Sequence, residues 1–210
     1  ISGFLDNGQR CTGTSRLIVL RSIAEDLTKK LVARARKLKI GDGFTEHVDN
    51  GPVVDEGQLK TYLHYVKTAI DEGAILECGG EQLMEDGLDA GYFVAPTLFS
   101  GVTKDMTIFR EEIFGPVMAM SVVDTYEEAL KLANDSEFGL SSTIYTNDLK
   151  KAFHFIRHIE SGVTHVNIPS NYFENQYPFG GKKASSIGPR EQGSTTLDFW
   201  TDYKTVYIRP

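Results

Sequence analysis

The run Val117-Met118-Ala119-Met120-Ser121-Val122-Val123 constrains the fold of this chain more than any other feature. Its length and near-continuous apolarity read as a buried strand, bracketed by Gly115-Pro116 and by a helical pattern at Tyr126 to Asn134. Glu127 and Glu128 fall in the first turn of that helix, where the dipole favours acids. Upstream, Arg16 to Leu20 is a short apolar run. Ala24 to Leu38 and Gln58 to Glu72 place apolar residues at three-to-four spacing, and a strand-like Ala74 to Glu77 follows. Phe93 to Phe99 reads as a strand that Pro96 demotes to an edge. Downstream come a strand at Ser142 to Tyr145, a helix at Leu149 to Ile159, and strands at Gly162 to Asn167 and Lys204 to Ile208. Strands alternating with helices give an α/β fold, a mostly parallel sheet with flanking helices.

At 210 residues the chain has room for one large domain or two small ones. With 40% apolar and 24% charged residues it is globular rather than disordered. A net charge of −7, with no dense Lys/Arg run, argues against nucleic acid as a partner. No apolar stretch approaches the ~20 residues that cross a bilayer, so no membrane partner is expected. Two cysteines, Cys11 and Cys78, in a chain that needs no disulfide point to a reducing, cytoplasmic setting. The start at Ile1-Ser2-Gly3, so close to Cys11, suggests that a longer polypeptide precedes it.

Three segments could carry chemistry. Cys11 follows Gly8 and precedes Thr12 to Arg16, a segment able to start a helix whose dipole would favour a thiolate. On spacing alone, a buried structural cysteine is the commoner outcome. Glu111-Glu112-Ile113-Phe114-Gly115-Pro116 holds an acid beside a ring, suited to a ribose, although a solvated pair before a turn has the same appearance. Tyr177-Pro178-Phe179-Gly180-Gly181-Lys182 suggests a phosphate loop but lacks its first Gly and its Ser/Thr. His154 and His158 lie four apart with no third ligand at zinc spacing, so no metal is expected.

Taken in order, these segments make the chain resemble the aldehyde dehydrogenase superfamily over nearly its whole length. Phe4, Gly8, Gln9 and Cys11 match the family's Phe-x-x-x-Gly-Gln-x-Cys, with Arg16 beyond it. Glu112, Phe114, Gly115 and Pro116 match Glu-x-Phe-Gly-Pro, and Pro178 to Gly181 match Pro-Phe-Gly-Gly. Gly51-Pro52, Gly91 to Thr97 and Phe138 to Ser141 are similar to further signatures.

The resemblance implies a Rossmann-like catalytic domain over 1–184 and a segment 185–210 bearing an oligomerisation strand, with the nucleotide-binding half outside the chain. It implies oxidation of a small-molecule aldehyde to an acid with NAD or NADP. Cys11 would be the nucleophile, forming a thiohemiacetal and then a thioester that water releases. Its backbone N–H would supply part of the oxyanion hole. Glu112 would bind the nicotinamide ribose, Phe114 would pack near that ring, and Gln58 would touch the other ribose. Phe173 and Phe179 would line the aldehyde tunnel, with Asn167, Tyr172 and Tyr177 at its rim. Homodimers or homotetramers through the terminal strand would follow, and the chain by itself would be nearly inactive.

The match breaks after Pro-Phe-Gly-Gly, where Ser186 stands for a Gly and Pro189 precedes Arg190. The Ser-Ser and Arg-Glu-Gln-Gly form is similar to members acting on semialdehydes of sugar-acid catabolism. Lys182, Lys183 and Arg190 are candidate partners for a substrate carboxylate. Three alternatives stay open: a CoA-acylating member of the superfamily, a cofactor-free cysteine esterase or hydrolase pairing Cys11 with His165 or His154, and a non-catalytic domain that binds through its edge strand.

Overall fold

The structure, a computed structural model, describes residues 2–210. It divides into two compact units, one comprising the chain through Ser136 with Pro169–Asn171, the other Glu137–Ile168 with Tyr172–Pro210.

The first unit runs β1 (Arg16–Leu20), α1 (Arg21–Ala35), α2 (Glu56–Asp71), β2 (Ile75–Cys78), β3 (Thr97–Ser100), α3 (Thr107–Arg110), β4 (Val117–Val123) and α4 (Tyr126–Asn134). Its sheet has the order β1-β4-β3-β2, parallel across the first two pairings and antiparallel between β3 and β2. The apolar run of β4 is explained by what covers it. Val117 and Ala119 join Tyr62, Val66, Phe99 and Phe109 on one face, while Met118 and Met120 join Phe4, Val19 and Leu98 on the other. Side chains alternate across a strand, so a strand covered on both faces is apolar nearly throughout, and the polar Ser121 within it is buried with its hydroxyl donated to Val102 O at 2.7 Å. Helix α2 covers the first face through Leu59, Tyr62, Val66 and Ala69, and α1 covers the second through Ala24, Leu27 and Leu31.

Helix α4 has the span its pattern predicts, started by the Thr125 hydroxyl accepting the Glu128 N–H at 3.1 Å. Helix α2 begins two residues before the periodic stretch because Asp55 caps it, accepting the Gln58 N–H at 2.8 Å. Strand β3 is not an edge as the proline suggested: it lies between β4 and β2. It starts at Thr97, after Pro96, so the missing N–H falls outside the ladder.

The second unit contains β5 (Phe138–Gly139), β6 (Ser141–Ile144), α5 (Leu149–His158), β7 (Val163–Val166), β8 (Lys182–Lys183) and α6 (Thr196–Trp200). Strands β6 and β7 pair in parallel, and β5 pairs with β8 antiparallel. Gly162 packs so close to the carbonyl of Gly180 that a side chain there would overlap it. The strand expected at Lys204 to Ile208 does not form: residues 201–210 have no regular structure. A strand exists only by pairing, and no edge among the described residues takes this segment up; Tyr203, Tyr207 and Ile208 are strongly exposed.

Among the described residues no helix is long and apolar enough to cross a membrane, and no group of three His, Cys, Asp or Glu is placed to hold a metal.

Candidate active site

The thiol segment is a tight turn. Asp6, Asn7 and Gly8 take positive φ in succession, at 55°, 54° and 62°. A second loop, 50–54, holds it by side-chain bonds in both directions. Asn50 Nδ2 donates to Phe4 O at 2.7 Å, and Asn7 Nδ2 donates to Gly51 O at 3.0 Å and Pro52 O at 2.8 Å. Gln9 Oε1 accepts the Val54 N–H at 3.1 Å. Beyond this clamp Cys11 is exposed, whereas Cys78 is buried with its thiol pushed up by desolvation. The exposure removes the core-cysteine reading for Cys11.

The helix expected after Cys11 is absent. Gly13 N–H closes a turn on Arg10 O at 2.9 Å, and the chain then enters β1 in extended form. Ser170, a partner with no local signal, donates its hydroxyl to Thr12 O at 2.8 Å and lies 2.8 Å from Thr14 Oγ1.

The Glu112 loop lies in the same unit. Tyr65 donates its hydroxyl to Glu111 Oε2 at 2.7 Å, and that bond raises the Tyr65 phenol to about 12. Glu111 therefore serves the frame, and Glu112 is an exposed carboxylate. Gln58 Nε2 donates to Ile113 O at 3.1 Å and Phe114 O at 2.9 Å, fixing Phe114, a residue 39% exposed, at φ 53°. Both loops meet at glycine: a Cβ on Gly8 would overlap the carbonyl oxygen of Gly115. An exposed acceptor and an exposed ring on a backbone fixed by Gln58 fit a ribose hydroxyl and a flat heteroaromatic ring. Gln58 itself has its amide nitrogen committed to the loop.

In the second unit Phe173 and Phe179 come together, ring centroids 6.0 Å apart and tilted 54°. With Tyr172, Tyr177, Val163 and Pro178 they line a cavity of ≈ 140 Å³. Asn167 is outside that lining. Its carboxamide turns back on Thr146, accepting the N–H at 2.8 Å and donating to the carbonyl at 2.9 Å. His165 is buried with Nδ1 3.1 Å from Ser142 O and Nε2 2.7 Å from Tyr172 O, so neither nitrogen is presented as a base to a thiol. His154 and His158 stack on each other at 4.0 Å.

A family model described as "Aldehyde dehydrogenase family" matches residues 1–206. The chain belongs to the aldehyde dehydrogenase family. It is 45% identical over 207 residues to the alpha-ketoglutaric semialdehyde dehydrogenase of Bacillus subtilis (strain 168), and 41% identical over 208 residues to a betaine aldehyde dehydrogenase of Brucella melitensis. Each alignment covers 99% of this chain and 42% of the relative, so the chain spans well under half the length of these curated relatives. A structure of betaine aldehyde dehydrogenase from Staphylococcus aureus in complex with NAD+ matches with a TM-score of 0.91 at 34% identity, covering 95% of this chain and 39% of that one. An NAD-dependent aldehyde dehydrogenase from Sinorhizobium meliloti matches with a TM-score of 0.91 at 36% identity, covering 100% and 41%.

Within an aldehyde dehydrogenase fold, the segment after Pro-Phe-Gly-Gly is used structurally here. Arg190 donates to Gly181 O at 2.5 Å, and Glu191 N–H donates to Phe179 O at 3.0 Å. Lys183 pairs with Glu160 at 2.6 Å. Two of the three candidate carboxylate-binding cations are thus engaged within the unit. Asn7, Asn50 and Tyr65 were not foreseen. The one trace in the sequence was turn chemistry at Asn7-Gly8 and Asn50-Gly51, which says nothing of the long-range bonds.

Proposed function

We propose that the protein to which this chain belongs is an NAD-dependent aldehyde dehydrogenase that converts an aldehyde and water to a carboxylic acid, with Cys11 as its nucleophile. The observation that carries this reading is the exposed Cys11 thiol on a clamped loop whose Gly8 is seated on Gly115 of the Glu112–Phe114 loop. The sulfur of Cys11 adds to the aldehyde carbon as a thiolate, and the carbonyl oxygen takes up the negative charge, stabilised in part by the Cys11 N–H. The bound nicotinamide supplies a hydride acceptor. With that acceptor bound, the carbon held on Cys11 would be oxidised to a thioester, which water would cleave to the acid and the free thiol. Glu112 accepts a hydrogen bond from the nicotinamide ribose, and Phe114 offers its ring as a packing surface. Within the second unit, Phe173 and Phe179 form an apolar surface with Tyr172 and Tyr177 beside it, chemistry suited to an aldehyde's tail.

The residues 185–210 supply an intersubunit strand in a homodimer or homotetramer, a reading supported by the exposed Val206, Tyr207 and Ile208. Two free cysteines suit the cytoplasm. The test is substitution and labelling in the whole protein. Cys11→Ser abolishes aldehyde-dependent NAD reduction, and iodoacetamide labels Cys11 at least tenfold faster than Cys78. Retained reduction in Cys11→Ser would overturn the reading.

A further inference from the structure

We propose that Asn7 is a positioning residue for the thiol, setting where Cys11 stands through its grip on the 50–54 loop; this rests on Cys11 being the nucleophile. Asn7 combines three properties that few side chains share. It tolerates φ of 54°, it is 5% exposed, and its single NH₂ group reaches two carbonyls, Gly51 O and Pro52 O. Asn50, 3% exposed, makes the reverse bond to Phe4 O, so the two loops hold each other at both ends of the turn.

The arrangement is costly. Two successive non-glycine residues, Asp6 and Asn7, sit in the left-handed region, and Asn7 Oδ1 and Asn50 Oδ1 are both buried with no hydrogen-bond partner among the described residues. Neither carboxamide can relieve this by flipping, because its oxygen would then face the carbonyls that its NH₂ now satisfies. Strain of this kind persists where the surroundings over-determine it, commonly at functional sites. Here it lies four residues before the nucleophile. Between them Gly8 is wedged on Gly115 and Gln9 is tied to Val54, so displacement of Asn7 has little slack to absorb it before Cys11.

The test uses the whole protein. Asn7→Gly keeps the backbone conformation and deletes the two donors, and Asn7→Asp keeps the shape but turns acceptors toward both carbonyls. Both are expected to lower kcat and the iodoacetamide rate at Cys11 at least tenfold, Asn7→Asp more, while KM for aldehyde and NAD moves less than twofold. Gln9→Ala, which cuts only the Val54 link, is expected to lower both rates two- to threefold and covers the case in which an Asn7 variant fails to fold. Folded Asn7 variants, or a folded Gln9→Ala, with native kcat and native labelling and only a lower Tm would overturn the proposal. The labelling arm needs no substrate, so it still reports on thiol positioning if Cys11→Ser retains activity, a result that would instead sink the function.

Discussion

Gly8 and Gly115 touch backbone to backbone, and through that contact the loop bearing the thiol and the loop bearing Glu112 and Phe114 share one position. Any side chain at Gly8 must push the loops apart. Alanine there also pays about 1–2 kcal/mol for the left-handed backbone. Gly8→Ala is therefore expected to lower Tm, slow alkylation of Cys11 and weaken NAD binding together. Loss of one property with the other two intact would mean that the loops are not coupled through this contact.

Asp55 lies outside both loops yet governs one of them. Its carboxylate caps α2 by accepting the Gln58 N–H, and Gln58 then holds the carbonyls of Ile113 and Phe114. Asp55→Ala is expected to cost about 1 kcal/mol of stability as a lost cap. It should also raise KM for NAD several-fold with kcat little changed. Gln58→Glu is the sharper probe, since a carboxylate facing two carbonyls repels the loop. An unaltered KM for NAD in both variants would reduce Gln58 to a packing residue.

The central sheet was legible because β4 is apolar on both faces, and covered strands leave no other reading for Met118 and Met120 beside Val117 and Ala119. The site was legible as motifs and not as geometry. Nothing local in Thr12 to Ser15 forbids a helix; the turn there is imposed by Gly13 on Arg10 and by Ser170, more than 150 residues away. The terminal strand failed for the complementary reason: alternation gives a segment the capacity to pair, and the partner edge is a property of something else.

The buried Tyr62 phenol makes stability fall at alkaline pH. Burial pushes it up to about 12 from its ordinary value of 10.0, within reach of Ala95 O and Thr97 Oγ1 and accepting the Gly80 N–H. A raised folded pKa means full stability below pH 10, with loss as pH climbs towards about 12, because only the unfolded state ionises in that window. Tyr65, raised to about 12 by its bond to Glu111, acts with the same sign. Tyr62→Phe is expected to cost about 1 kcal/mol at neutral pH, since Gly80 keeps its bond to Thr97, and to flatten the fall in Tm between pH 10 and 12. An unchanged alkaline slope would count against the role of Tyr62.

The terminal segment allows a test of assembly that leaves the site untouched. Tyr203, Val206, Tyr207 and Ile208 are 84%, 62%, 93% and 85% exposed, and residues 201–210 form no ladder in this chain. Covering side chains of this kind is worth about 1.5–3 kcal/mol each, so a few of them paired against a second copy are enough to influence assembly. Removing residues 203–210 from the whole protein should therefore reduce the oligomer measured by light scattering. The rate of Cys11 alkylation per subunit should stay the same, because the clamp on the thiol draws on Asn7, Gln9 and Asn50 and on no residue of the tail. A truncated protein with the parent's mass would remove the tail from the interface, and a truncated protein with slower labelling would make the tail part of the site.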